Sequence, residues 1–190
     1  MKKSILHLIT LSLLLLLSSV AVCAQSKAHT VDKAHSQINF VAEARLISAH
    51  GHFATWDAEV MLDPAKIESS SVKITIDVKS IDTQSSSRDN HLRSKDFFDV
   101  EKFPQITFVS KKITKVDDKT YKVVGDMTMR GVTKEATIPL TKVFYENNTG
   151  RFKGTFEINR TEYGMTYNSM MNKIDDLVKV EVDFTVRAKQ

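Results

Sequence analysis

In SVKITIDVK (residues 71–79), Val72, Ile74, Ile76 and Val78 alternate with Lys73, Thr75, Asp77 and Lys79. Successive side chains of a β-strand point to opposite faces, so this run has one apolar and one wet face. The same period extends outward on both sides. Toward the N-terminus, Ile38, Phe40, Ala42 and Ala44 alternate with Asn39, Val41, Glu43 and Arg45, and Ala58, Val60 and Leu62 with Asp57, Glu59 and Met61. Toward the C-terminus it returns in ITFVSKKITKV (106–116), KTYKVVGDMTMRG (119–131), KEATIPLTKVFYE (134–146), RFKGTFEINR (151–160) and LVKVEVDFTVRA (177–188). VDDK (116–119) and NNTG (147–150) read as turns between them. The pattern predicts about eight strands in one domain, mostly joined as hairpins.

Strands at this spacing, with almost no helix, predict a closed antiparallel barrel or a sandwich. The distinction bears on function, because an eight-stranded barrel can hold one small ligand whereas a sandwich core has no room. Small or pliable residues at predicted inward positions (Ala42, Ala44, Ala58, Met127 and Met129) favour a cavity. Methionine also fills gaps in solid cores, so the pattern alone leaves the sandwich open.

MKKSILHLITLSLLLLLSSVAVCAQS (1–26) starts with two lysines, runs apolar from Ile5 to Val22 and ends on Val22 and Ala24 ahead of Gln25. This predicts a secretory signal peptide over residues 1–24, cleavage after Ala24 and a periplasmic domain over 25–190. The apolar run is short of the roughly 20 residues that a spanning helix needs. Lipidation of Cys23 is the alternative, weakened by the bulk of Val22. Cys23 is the single cysteine, so the domain beyond it must rely on its core rather than on disulfides. Lys and Arg number 27 against 23 Asp and Glu, and Lys2 and Lys3 fall in the leader. The exported part is therefore close to neutral, which argues against nucleic acid as a partner.

Between two strand runs lies SSSRDNHLRSKDFFDVEKFPQITF (85–108). Ser86 and Asp89 have capping-box spacing, Asp89 and Arg93 an i, i+4 spacing, and Pro104 marks the next strand. A short helix is expected over SRDNHLRSKDFF (87–98), with a further turn at PAKIESS (64–70). Leu92 near Phe97 and Phe98 gives the helix an apolar side, while Arg88, His91 and Arg93 are left to point elsewhere. Such a helix suits a cap on one barrel mouth.

At these residues the chain resembles the YceI-like family of exported lipid-binding proteins. The resemblance rests on DKAHSQINFVAEA (32–44), the glycine and phenylalanine of HGHF (50–53), and SIDT (80–83) followed by RDNHLRSKDFFDVEKFPQITF (88–108). It continues in GDMTMRGVTKEATIPL (125–140), NRTEYGM (159–165) and DDLVKVEVDF (175–184), covering about residues 31–186. Ala49-His50 departs locally from the family pattern. The resemblance implies a lipocalin-like barrel whose apolar cavity holds an isoprenoid chain, of polyprenyl or quinone type, or another long aliphatic molecule. It implies a periplasmic protein that is not an enzyme and needs no cofactor besides the lipid. Transient membrane contact and a homodimer are compatible with it. The alternative reading is a structural or stress-related barrel, or an enzyme, that acts without a lipid ligand.

Candidate lipid-lining residues are Phe40, Phe53 and Trp56, then Leu92, Phe97, Phe98 and Phe108, and finally Met127, Met129, Tyr163 and Met165. Each has core packing as its plainer role. Arg88, His91 and Arg93 are candidates for a head group, since arginine offers a bidentate fork to phosphate; fastening the helix to the barrel rim is the competing role. His50 and His52, two apart on a predicted strand, with His91 form a conceivable metal set, but no second cluster accompanies them, and no metal is expected. His35 and Ser36 lack the strand-turn-helix setting of a hydrolase nucleophile. Ser36 is expected to make a hydrogen bond at a strand start, and no catalytic residue is assigned.

Overall fold

The computed structural model describes residues 26–189. The predicted signal peptide, its cleavage point and Cys23 lie outside them. Eleven strand segments form eight staves. β1 (Lys27–Val31) and β2 (Gln37–Ala44) make one bent stave, β3 (Ile47–Phe53) and β4 (Trp56–Leu62) a second, and β5 (Ser71–Asp77) and β6 (Ile81–Asp82) a third. β7 (Gln105–Lys115), β8 (Thr120–Met129), β9 (Val132–Glu146), β10 (Thr149–Asn159) and β11 (Ile174–Ala188) complete the set. Each stave pairs antiparallel with its neighbour in sequence, and β11 pairs with both β1 and β2, which closes the barrel. Closure leaves no free edge along the ring.

The opening alternation lands on this register. Ile74 lies opposite Ala58 on one side and Phe108 on the other, and Ile76 lies opposite Trp56 and Ile106, all on the inner face. Three neighbouring staves bend where small and polar residues supply hydrogen bonds. Asp32 Oδ1 accepts from Ala34 N at 3.1 Å, Ser36 Oγ accepts from Thr185 N at 2.9 Å, and Ser80 Oγ accepts from Thr55 N at 2.9 Å. Ser36 thus makes a hydrogen bond at the start of β2, and His35 is held by Asp32 Oδ2 at 2.9 Å. Gly51 permits a close approach inside the wall: a Cβ there would sit 2.4 Å from Cζ of Phe40.

The helix is α1 (Ser86–Arg93), which ends five residues before the Phe98 that the sequence suggested. Ser94 ends it by hydrogen-bonding back to His91 O through both its amide (3.0 Å) and its hydroxyl (2.7 Å). The capping-box expectation is corrected: Ser85 is the N-cap and makes no side-chain cap bond. Asp89 instead turns back and accepts from Thr83 N (2.9 Å) and Thr83 Oγ1 (2.5 Å). Nor does Arg93 pair with Asp89. It donates to Lys79 O (2.9 Å) and Ile81 O (2.7 Å), tying the helix to the wall below it. The turn expected at PAKIESS is a 3-10 turn over Ile67–Ser69.

On the outer face of β10 and β11, Asp183 accepts from Arg151 Nε (2.9 Å) and Nη2 (2.7 Å), with Lys153 Nζ at 3.2 Å. The Arg151 hydrogen bonds chiefly, with Lys153 behind them, hold its carboxyl below the usual carboxylate range despite partial burial. A depressed folded-state pKa stabilises fully above the unfolded value of about 3.9 and is lost as pH falls through the folded value. Asp183→Asn is therefore expected to destabilise more at pH 7 than at pH 3 in urea unfolding. An equal difference at both pH values would contradict this role.

Candidate functional site

At one end of the barrel, the connections are the β2–β3 hairpin at 45–46, the segment with α1 at 83–104, the β8–β9 turn at 130–131 and the long link at 160–173. These surround the opening of a cavity of about 410 Å³. Its body is apolar. Ala42, Ala44 and Ala49 leave the space, Ile106, Met127 and Met129 form the facing wall, and Val178, Val180 and Val182 close it from β11. A second apolar space of about 100 Å³ lies deeper in the barrel, next to Ala58. Ile74, Phe108, Ile138 and Val182 line both spaces and so form the partition. The Phe108 ring reaches to where a side chain on residue 125 would begin, since a Cβ on Gly125 would lie 2.7 Å from its Cζ.

The polar lining comes from Asn39, Arg88, His91, Arg160, Ser169 and Asn172, and most of it belongs to the mouth connections. Arg88 donates through Nε to Thr83 Oγ1 (2.8 Å) and through Nη2 to Thr83 O (2.6 Å), which leaves its Nη1 without a hydrogen bond among the described residues. The His91 ring meets Phe97 and Tyr167 edge-on, at 5.0 and 4.8 Å between centroids, and lies 3.2 Å from Asp96 Oδ2. Helix and link thus meet through aromatic rings at the mouth. Arg130 adds a second tie between them, donating to Gly164 O (2.7 Å) and Lys95 O (2.9 Å).

Of the residues singled out in the sequence, Phe40, Phe53, Leu92, Phe97, Phe98, Phe108, Met127, Met129 and Met165 line the cavity, as do Arg88 and His91. Three do not. Trp56 faces inward but is covered, with its ring edge-on to Phe184 at 5.3 Å and Lys33 Nζ 3.5 Å from the ring centroid. Tyr163 is buried in the 3-10 turn Arg160–Tyr163, where burial pushes its phenol above the usual range. Arg93 is engaged by backbone carbonyls, so the geometry gives it the fastening role rather than the head-group role. His50 and His52 belong to the outward set of β3, whose alternate residues Ala49 and Phe53 line the cavity. They do not join His91 in any group of three potential metal ligands among the described residues.

Sequence reasoning missed Arg160. Its side chain is 5 % exposed, and its guanidinium donates to the carbonyls of Asp175 (2.9 Å), Met165 (2.5 Å), Tyr167 (2.9 Å) and Ile174 (3.1 Å) and to Asp176 Oδ1 (3.2 Å). It gathers the whole 160–176 link into one lip of the mouth. The local signal was the Asx turn that precedes it, in which Asn159 Oδ1 accepts from Thr161 N at 3.0 Å. That signal marks a turn but does not reveal distant carbonyl partners.

The family model of the YceI-like domain matches residues 29–186. A "UPF0312 protein" of Pseudomonas savastanoi is 33% identical over 150 residues, covering 75% of this chain and 78% of its own. Among solved structures, Burkholderia cenocepacia BcnA superposes with a TM-score of 0.76 at 29% identity, over 82% of this chain and 98% of its own. A polyisoprenoid binding domain from Saccharophagus degradans has the same fold, with a TM-score of 0.67 at 15% identity, over 86% of this chain and 99% of its own.

Proposed function

We propose that this chain, which belongs to the YceI-like family, is an exported, non-catalytic carrier or store for a long isoprenoid lipid of polyprenyl or quinone type. The observation that carries the reading is the cavity of about 410 Å³, apolar along its body, with polar groups concentrated at its mouth. Its volume falls in the range of about 300–1,000 Å³ usual for small-molecule sites. Each buried CH₂ contributes about 0.8 kcal/mol, so ten buried carbons contribute about 8 kcal/mol gross. That is comparable with the association cost of about 4–15 kcal/mol. Such a site selects by length and girth. The polyisoprenoid-binding designation of the Saccharophagus domain supports the ligand class.

Two features support a binding rather than a catalytic role. No carboxylate is among the described residues that line the cavity, and the Arg160 guanidinium is committed to structure. An isoprenoid head group would lie at the mouth, where Arg88 offers its Nη1. Export rests on the leader sequence alone, and the intact mass of protein from the periplasmic fraction tests it, with Gln25 as the expected first residue. The ligand class is tested by stripping the purified protein and reloading it with a C50 polyprenol, a C15 isoprenoid alcohol or palmitate. The C15 isoprenoid alcohol, short enough for the cavity, is expected to raise the melting temperature more than palmitate; no rise with any of the three would remove the reading.

Chain length depends on the Phe108 partition. Phe108→Ala is expected to merge the two spaces, lengthen the isoprenoid retained from the host and cost about 3–5 kcal/mol in the empty protein. Mass spectrometry of the retained lipid checks it, and an unchanged length distribution would remove Phe108 as the limit.

A further inference from the structure

Two loop tips beside the cavity opening carry apolar side chains into solvent. Leu46 and Ile47, at the β2–β3 turn, are 73% and 48% exposed, and Met170 and Met171, in the β10–β11 link, are 100% and 81% exposed. Two hydrogen bonds join these tips into one patch: Arg45 N donates to Lys173 O at 2.8 Å, and Leu46 N to Asn172 Oδ1 at 3.0 Å. The same segments form the opening, because Ile47, Tyr167, Ser169 and Asn172 line the cavity.

Cations and carboxylates both flank the patch. Arg45 and Lys173 are exposed beside it, as is Lys95 on the α1 side of the mouth. None of the three makes a salt bridge among the described residues. Of the nearby carboxylates, Asp176 faces Arg160 at 3.2 Å and Asp96 lies 3.2 Å from His91 Nε2, while Glu43, which accepts from Ser48 Oγ, and Asp175 are exposed. Exposed apolar side chains flanked by unpaired cations match the boundary between the head groups and acyl chains of an anionic membrane. A second copy of the chain fits less well. A stable interface buries about 800 Å² on each partner, and this patch is two loop tips.

We propose that this rim docks the barrel mouth-first on an anionic phospholipid surface, so that a lipid chain passes between bilayer and cavity without crossing water. The proposal rests on the lipid-carrier reading for its purpose, but its test is separate. The purified protein is floated with vesicles of phosphatidylcholine alone and of phosphatidylcholine with phosphatidylglycerol. Binding to the anionic vesicles is expected, weakening with added salt and weaker on phosphatidylcholine alone. A Leu46→Asp, Met170→Asp double variant is expected to lose at least tenfold in vesicle affinity with its melting temperature and cavity lipid intact, since neither residue lines the cavity. Arg45→Glu with Lys173→Glu is expected to abolish the preference for anionic vesicles.

The proposal is overturned if the wild type floats with neither vesicle, or if the double variant floats as well as the wild type. It is also overturned if light scattering shows a wild-type dimer that the double variant dissolves, which would assign the patch to a second copy. Vesicle binding by a protein whose cavity holds no lipid would leave docking standing and remove the carrier reading. Retained lipid without vesicle binding would do the reverse.

Discussion

Ala42→Trp is expected to empty the barrel without unfolding it. Ala42 lines the cavity between Ala49 on β3 and Val178 on β11, both of which also line it. An indole placed there would project into the open space, so it occupies the volume a ligand would take instead of displacing packed neighbours. Overpacking a filled core costs about 1–3 kcal/mol, and the open space puts this change at the low end. Retained lipid is expected to fall more than tenfold, with a melting temperature within a few degrees of the wild type. If the variant keeps its lipid, the ligand lies outside the cavity. If it unfolds, the space is not available to a side chain.

Arg160→Leu is expected to have the opposite profile, a large loss of stability centred on the mouth. The change removes the donor to four backbone carbonyls and Asp176 while keeping an apolar stem in place. Asp176 is exposed and keeps its water, but a buried carbonyl left without a donor costs about 1–3 kcal/mol, so the set is expected to cost about 3–5 kcal/mol. For a domain of this size, that corresponds to a fall in melting temperature of about 6–20 °C. Arg160→Lys is expected to recover little, because an ammonium cannot present five donors in a fixed fork. Hydrogen exchange should localise the loss to residues 160–176. A variant as stable as the wild type would show that the link is held by Tyr163 and Met165 packing instead.

Much of the barrel is readable from period two alone. SVKITIDVK puts Ile74 and Ile76 on the inner face, and the same count puts Met127 and Met129 there, because the pleat permits no other assignment. What periodicity does not report is height along the barrel axis. Trp56 is on the correct face, but it sits at the level of Phe184 and beneath Lys33, away from the cavity. The bends that split three staves were likewise hidden, since they depend on the amides of Thr185 and Thr55, distant in sequence, donating to Ser36 Oγ and Ser80 Oγ. Around α1 the local signals competed. Asp89 has the spacing of a capping box, yet Thr83, six residues before it, offers an amide and a hydroxyl together and takes the carboxylate. Arg88, His91 and Arg93 could not be sorted from sequence, because a helix of this length turns them in different directions. Only the carbonyls of Lys79 and Ile81 show that Arg93 belongs to the wall.

An isoprenoid chain that fills the apolar cavity should stay with the protein through purification. Mass spectrometry of an organic extract from protein purified without detergent from its native host, alongside Ala42→Trp, is expected to find a near-stoichiometric isoprenoid in the wild type and its loss from the variant. A wild-type extract free of lipid, or one with equal lipid in both proteins, would contradict it.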